Sequence, residues 1–199
     1  MKVFVNSEER EISVDMASTL NEVVRQVEST LPQGQMITEV ALNDRVLESN
    51  WFQNAGKTYV LDDDTLSIRV EESAVIGNQA LSISKSTLQL LLIDFEKIAD
   101  SFRMQDDTEA NTLFVQGIEN LQWFLKLLED STFLLGRPLE NIKDGDDLFM
   151  KHINELGEKL DKIIQVQSQK DWILLADMIE YEMLPALKKI GEIYAILDL

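Results

Sequence analysis

The chain has 199 residues, 45% of them hydrophobic and 27% charged, and 36 acidic side chains against 18 Lys and Arg give a formal net charge of −18. That balance fits a globular protein of one or two domains and excludes disorder, collagen and disulfide scaffolds. Having no cysteine, the chain cannot form disulfides, iron–sulfur clusters, thiolate zinc sites or a thiol nucleophile. So acidic a chain is expected to be repelled by nucleic acid and by anionic membrane surfaces. Its apolar runs stay short, as in Leu90-Leu91-Leu92-Ile93, which predicts no membrane insertion. The opening MKVFVNSEER turns polar by residue 6, unlike a signal peptide, so a cytoplasmic location is expected.

Residues 1–73 read as a small α/β domain. Lys2 to Val5 and Glu11 to Val14 are β-rich runs flanking a polar stretch from Asn6 to Arg10, a hairpin pattern. Over Asp15 to Leu31, a cap at Ser18 or Thr19 precedes Leu20, Val23, Val24 and Val27, the spacing of one apolar helix face. Leu31-Pro32-Gln33-Gly34 stops that helix. Ile37 to Leu42 predicts a third strand, Asn43-Asp44 a turn, and Val46-Leu47 its return. Thr58 to Leu61 reads as a short strand, Asp62-Asp63-Asp64 as a turn, and Thr65 to Val70 alternates as the last strand.

From residue 74 the pattern becomes helical to residue 199. Helices are expected near residues 78–103, 107–134, 146–168 and 170–197. Leu81, Leu88, Leu91, Leu92, Phe95, Ile98, Ala99 and Phe102 form the apolar stripe of the first. Asp106 or Asp107 caps the second, and Gly136-Arg137-Pro138 ends it. Asp144 to Asp147 start the third, which carries Leu148, Phe149, Ile153, Leu156, Leu160, Ile163 and Ile164. Four such helices on short loops imply an antiparallel four-helix bundle, with Pro138 to Asp144 as its longest break. The boundary between the halves is expected near Glu71 to Gln79, where Glu71-Glu72-Ser73 is polar and Gly77-Asn78 can break or cap structure.

KVFVNSEEREISV, TLNEVVRQVESTLP, ITEVALNDRVL and DDDTLSIRV, in that order, make residues 1–72 resemble the β-grasp, or ubiquitin-like, fold. Sulfur carriers and modifiers of that fold act through a free Gly-Gly carboxyl terminus. Here the last strand runs into Val70-Glu71-Glu72-Ser73, so carrier chemistry does not transfer. A binding or docking module is what the resemblance implies. The helical half is loosely similar, in size, acidity and helix count, to the bundle chaperones that hold flagellar or type III secretion subunits.

Chemical motifs are sparse. The sole histidine, His152, follows Phe149 by three residues, so no pair of Glu-x-x-His motifs exists for a di-iron bundle. It reads as a surface or packing residue. Asp144-Gly145-Asp146-Asp147 with Glu155 at the twelfth place resembles a calcium loop only in part: Phe149 replaces the hinge glycine and Leu148 an oxygen ligand. An acidic helix start explains the run better. Asp62 to Asp64 reads likewise as a turn, not a cation site. No serine triad, Walker loop or dinucleotide fingerprint occurs. Asp177 with Glu180 share a helix face, and Glu180 with Glu182 do not, but such pairs arise by chance in so acidic a chain. No enzyme activity, metal or cofactor is therefore expected. Trp51-Phe52 reads as cover for the sheet core and Trp172 as bundle core.

The resulting expectation is an α+β chain, a β-grasp-like domain over 1–73 and a bundle over 74–199, acting as an acidic protein-binding or adaptor protein. A chaperone-like role toward a motility or secretion subunit is its concrete form. A small-ligand binder or enzyme with a carboxylate-lined pocket at the domain junction is the competing class. On the last helix, 100° steps put Trp172, Ala176, Ile179, Met183, Leu187, Ile190, Tyr194 and Leu197 on the core face. Leu174, Met178 and Tyr181 form a second stripe opposite it, and Trp123 and Leu127 an off-core pair on the second helix. These five are the expected partner-binding residues, the partner being another protein or a second copy of the chain.

Overall fold

The computed structural model describes residues 1–12, 18–48, 50–104 and 107–197, with Asp107 described in its backbone only. The class is α+β: a five-stranded mixed sheet comes first and a helical part follows. The described residues divide into two compact units, Met1–Ile76 and Gly77–Leu199.

The first unit contains β1 (Lys2–Val5), β2 (Glu8–Arg10), α1 (Leu20–Ser29), β3 (Gln35–Leu42), β4 (Arg45–Val46), α2 (Phe52–Ala55) and β5 (Thr65–Glu72). The strand order is β2-β1-β5-β3-β4, with β1 parallel to β5 and the other neighbours antiparallel. Alternate residues of β1 and β5 point inward, and Val3, Val5, Leu66, Ile68 and Val70 bury one sheet face against Leu20, Val23, Val24 and Val27 of α1. Thr19 caps that helix in a reciprocal box with Glu22, whose carboxylate accepts the Thr19 N–H at 2.7 Å.

The second strand lies earlier than the sequence pattern suggested. Asn6 and Ser7 both adopt positive φ, 49° and 69°, which closes a two-residue turn and pairs Val5 with Glu8 at once. Glu11 and Ile12 follow the strand instead of forming it, and Ser13 and Val14 lie outside the described residues. Asn43 and Asp44, at φ 51° and 61°, make the same kind of turn between β3 and β4, as expected. Thr58 to Leu61 forms no strand; only an isolated bridge joins Tyr59 to Thr19.

The helices are α3 (Ser73–Arg103), α4 (Asp107–Leu134), α5 (Met150–Gln169), α6 (Trp172–Met178), α7 (Leu184–Gly191) and α8 (Ile193–Ile196). A π-helical turn, Ile179–Met183, joins α6 to α7. No loop separates the halves, because β5 runs to Glu72 and α3 starts at Ser73. The expected caps Asp106 and Asp107 lie outside the described side chains.

Packing fixes the helix directions. A Cβ on Gly77 would meet Leu135 at 2.9 Å, and one on Gly117 would meet Ile98 at 2.9 Å, so α3 and α4 run antiparallel and close together. Tyr194 reaches Ser84 and Trp172 stacks on Phe102 at 5.4 Å, so the run α6 to α8 is antiparallel to α3. Lys159 meets Glu182 at 3.6 Å and His152 is linked through Asp144 to Lys189, which sets α5 antiparallel to the α6–α8 run, and Gln167 near the end of α5 donates to Asn111 near the start of α4 at 2.8 Å. The ring order is therefore α3, α4, α5, α6–α8, with α4 diagonal to α6–α8. Phe95, Phe102, Phe124, Phe149, Leu156 and Ile163 fill the centre.

Two expectations change here. Asp144 to Asp147 do not start a helix: Lys143–Asp144 (β6) and Asp147–Leu148 (β7) form a tiny hairpin around Gly145 at φ +63°, and α5 begins at Met150. Leu148 and Ile164 are exposed, the first because it belongs to that hairpin, the second because it is turned 100° from buried Ile163.

Candidate functional site

The paired carboxylates singled out in the sequence meet a cation. Arg103, at the end of α3, donates to Asp177 at 2.9 Å, contacts Glu180, and has Asp100 at 3.7 Å. These hydrogen bonds, that to Asp177 first, hold the guanidinium above its ordinary pKa. Glu182 turns away to Lys159. The π turn lies at this point for a local reason. Pro185 has no N–H to return to Tyr181, and its ring crowds that carbonyl, so the turn widens and Leu184 donates to Ile179. A groove of about 410 Å³ beside it is lined by Asp100, Arg103, Glu180, Tyr181 and Lys188, among others. Each of the two carboxylates is occupied as a partner of Arg103, which suits an ion-pair clamp better than proton transfer.

His152 belongs to a second cluster. Its Nε2 lies 2.9 Å from Asp144, which also accepts from Lys189 at 2.7 Å, and Lys189 reaches Glu192 as well. The Lys189 bond first, then His152, holds the Asp144 carboxyl below the usual carboxylate range, and Asp144 first, then Glu192, raise Lys189. The Phe149 ring sits edge-on to His152 at 5.6 Å. Nδ1 is buried without a hydrogen-bond partner, 3.8 Å from Glu155. The cluster ties the β6–β7 hairpin and α5 to α7. Asp147 instead pairs with Lys151 at 2.7 Å, so the acidic run is spent on separate ion pairs. Among the described residues, no group of three or more His, Asp or Glu is placed to hold a metal ion.

The expected partner-binding residues fall into two groups. Trp123 is 53% exposed on α4, with Leu127 half-buried one turn on. Leu174 and Tyr181 are 45% and 68% exposed on the diagonal side of the bundle. The five therefore do not share one groove. Met178 departs from the expected stripe: it is half-buried and packs on the helical core. The inserted π turn carries Tyr181 out of the regular 100° progression from Met178. Sequence reasoning missed the exposed Ile83 and Leu90 of α3, because its periodicity was judged only from the buried stripe. In the first unit, Trp51 packs on the sheet core while Phe52 is exposed. A groove of about 490 Å³ there, bordered by Arg10, Gln26 and Gln35, was also not anticipated. Asn6 on its rim exchanges two hydrogen bonds with the Val70 backbone, at 2.9 and 2.8 Å, extending the sheet in side-chain form. Among the described residues, no helix is long and apolar enough to cross a membrane.

Fold and site together define an α+β protein with an acidic helical part whose outer faces carry apolar side chains. Residues 81–193 match the family described as a domain of unknown function, DUF8042, and the chain belongs to that family. Residues 1–72 are similar to the TP0873 N-terminal domain. Neither a curated protein nor a solved structure matches the chain.

Proposed function

We propose that this chain is a non-enzymatic, acidic adaptor or chaperone-like protein of the cytoplasm that binds another protein through its helical unit. The observation that supports this reading best is Trp123, a large aromatic ring 53% exposed on the outer face of α4, where solvent alone favours polar side chains. The strand order β2-β1-β5-β3-β4 with α1 on one face supports the β-grasp resemblance and, through it, a docking role for residues 1–73. Holding a motility or secretion subunit is the form of the function that an acidic antiparallel bundle suits.

Affinity purification of the tagged chain from its native cell tests the reading. The native chain should retain a stoichiometric partner, and Trp123→Glu, or Leu174→Glu with Tyr181→Glu, should release it with helix content intact. Recovery of the same partner with every variant, or of none with the native chain, would overturn the proposal.

A further inference from the structure

The α3–α4 side of the bundle carries a strip that the buried periodicity does not explain. Gly77 against Leu135 and Gly117 against Ile98 fix the antiparallel register of the two helices. That register sets Leu90 level with Trp123, and Ile83 level with Asp130, one turn beyond Leu127. Along α3, Ile98 faces α4, whereas Lys85 and Leu88 face the α6–α8 run. Stepping 100° per residue, Ile83 and Leu90 lie just past the α4 side, on the outside. Along α4, Gly117 faces α3 and Asn111 faces α5, so Trp123 and Leu127 lie past the α3 side, also outside. Ile83, Leu90 and Trp123 are 53%, 61% and 53% exposed. The strip is two helical turns long, about 10 Å.

Its edges are acidic. Asp94 follows Leu90 by one turn, Glu119 precedes Trp123 by one turn, and Asp130 lies one turn beyond Leu127. Against them stand Lys97 and Lys126, and Lys126 is already bound to Asp130 at 2.6 Å and Glu129 at 3.5 Å. A second copy would bring a further −18 charge and the same acidic edges, so like charges would face each other. A cationic helix would not meet that repulsion.

We infer that this strip seats a cationic amphipathic helix, with apolar anchors at i, i+3 or i+4 and i+7 against Ile83, Leu90, Trp123 and Leu127, and Lys or Arg at its flanks meeting Asp94 and Glu119. The inference rests on the protein-binding reading above and gives its partner a chemistry.

The probe is a synthetic helix of about four turns made of Leu and Lys, compared with a Leu and Glu counterpart, titrated calorimetrically into the full-length chain. The Leu–Lys helix should bind, more weakly at high salt, and the Leu–Glu helix should not. Leu90→Glu and Trp123→Glu should each weaken the Leu–Lys helix tenfold or more, even though each adds a negative charge. General attraction to an acidic surface would instead grow with that charge, so unchanged or tighter binding overturns the inference. Absence of Leu–Lys binding, or equal binding of the Leu–Glu helix, overturns it too. So does a native dimer in sedimentation that Trp123→Glu makes monomeric, since the occupant would then be a second copy. If the cellular partner is lost from Trp123→Glu while the Leu–Lys helix fails to bind the native chain, the cationic-helix inference falls and the adaptor reading stands. If the Leu–Lys helix binds as expected but no cellular partner is retained, the adaptor reading falls.

Discussion

Raising the pH should loosen the helical unit through one buried phenol. Tyr194 is 4% exposed, its hydroxyl 2.8 Å from Ser84 Oγ, and burial pushes its pKa from 10.0 up to about 12. The folded chain thus holds this proton more tightly than the unfolded chain. The contribution to stability is complete below pH 10 and is lost as pH climbs through about 12. Each pH unit between the two values is worth about 1.4 kcal/mol, so roughly 3 kcal/mol is the ceiling on what Tyr194 loses across that window. Tyr194→Phe removes the ionisable group and leaves Ser84 bonded to the Leu81 carbonyl at 2.8 Å. At neutral pH it should therefore cost only about 1 kcal/mol, the net value of one hydrogen bond. Urea unfolding at steps from pH 8 to pH 11.5 would show the native chain losing stability faster than the variant. In a Tyr59→Phe, Tyr181→Phe background, tyrosinate absorbance reports Tyr194 alone and should appear only as unfolding sets in. Parallel alkaline slopes for native chain and Tyr194→Phe, or ionisation of Tyr194 near pH 10 in the folded chain, would refute the reasoning.

Phe102 sits between Phe114, edge-on at 6.1 Å, and Trp172, stacked at 5.4 Å, so Phe102→Ala should cost about 3–5 kcal/mol in chemical denaturation and shift Trp172 emission to the red. Asp144 is held low chiefly by Lys189, so its contribution is present above the unfolded carboxylate value and is lost as pH falls through the lower folded one. Asp144→Asn should accordingly flatten the acid limb of the thermal stability profile. Thr19→Ala breaks the capping box of α1 and should lower the stability of the first unit by about 1 kcal/mol, read from hydrogen exchange of Val23, Val24 and Val27.

Long periodic segments were legible in the sequence. The stripe from Leu81 to Phe102, with only Leu92 half-buried, and the set Leu20, Val23, Val24 and Val27 are buried as their spacing requires, because burying an apolar stripe is the dominant energy at such positions. Short elements were not, because their placement depends on backbone angles that composition underdetermines. Asn6-Ser7 carries weaker turn chemistry than Asn43-Asp44, so the hairpin looked longer than it is and β2 was placed three residues late. Asp144 to Asp147 carries the acids of a helix start, yet Gly145 at positive φ and the demand of Asp144 for Lys189 and His152 favour a hairpin. Long-range ion pairs of that kind leave no local pattern.

The candidate surface was half legible for a related reason. Helix phase finds residues that stand off a core, and it found Trp123, Leu127, Leu174 and Tyr181. It does not say which helices are neighbours, and the ring order places the first pair diagonal to the second. Phase also assumes an unbroken helix, and the π turn after Met178 breaks it, so a 100° count from Leu174 no longer fixes Tyr181, while Met178, still within α6, packs on the core. One widened turn therefore shifts every later residue out of the counted phase without changing any residue's character. By contrast α3 and α4 hold regular helix throughout their described residues, so phase stays valid along both. An outward Leu90 beside an outward Trp123 is then a property of two unbroken helices in fixed register. Solvation alone would replace both with polar side chains at little cost to the fold. Exposed inside an acidic border, Leu90 and Trp123 present the apolar anchors that a cationic helix would cover.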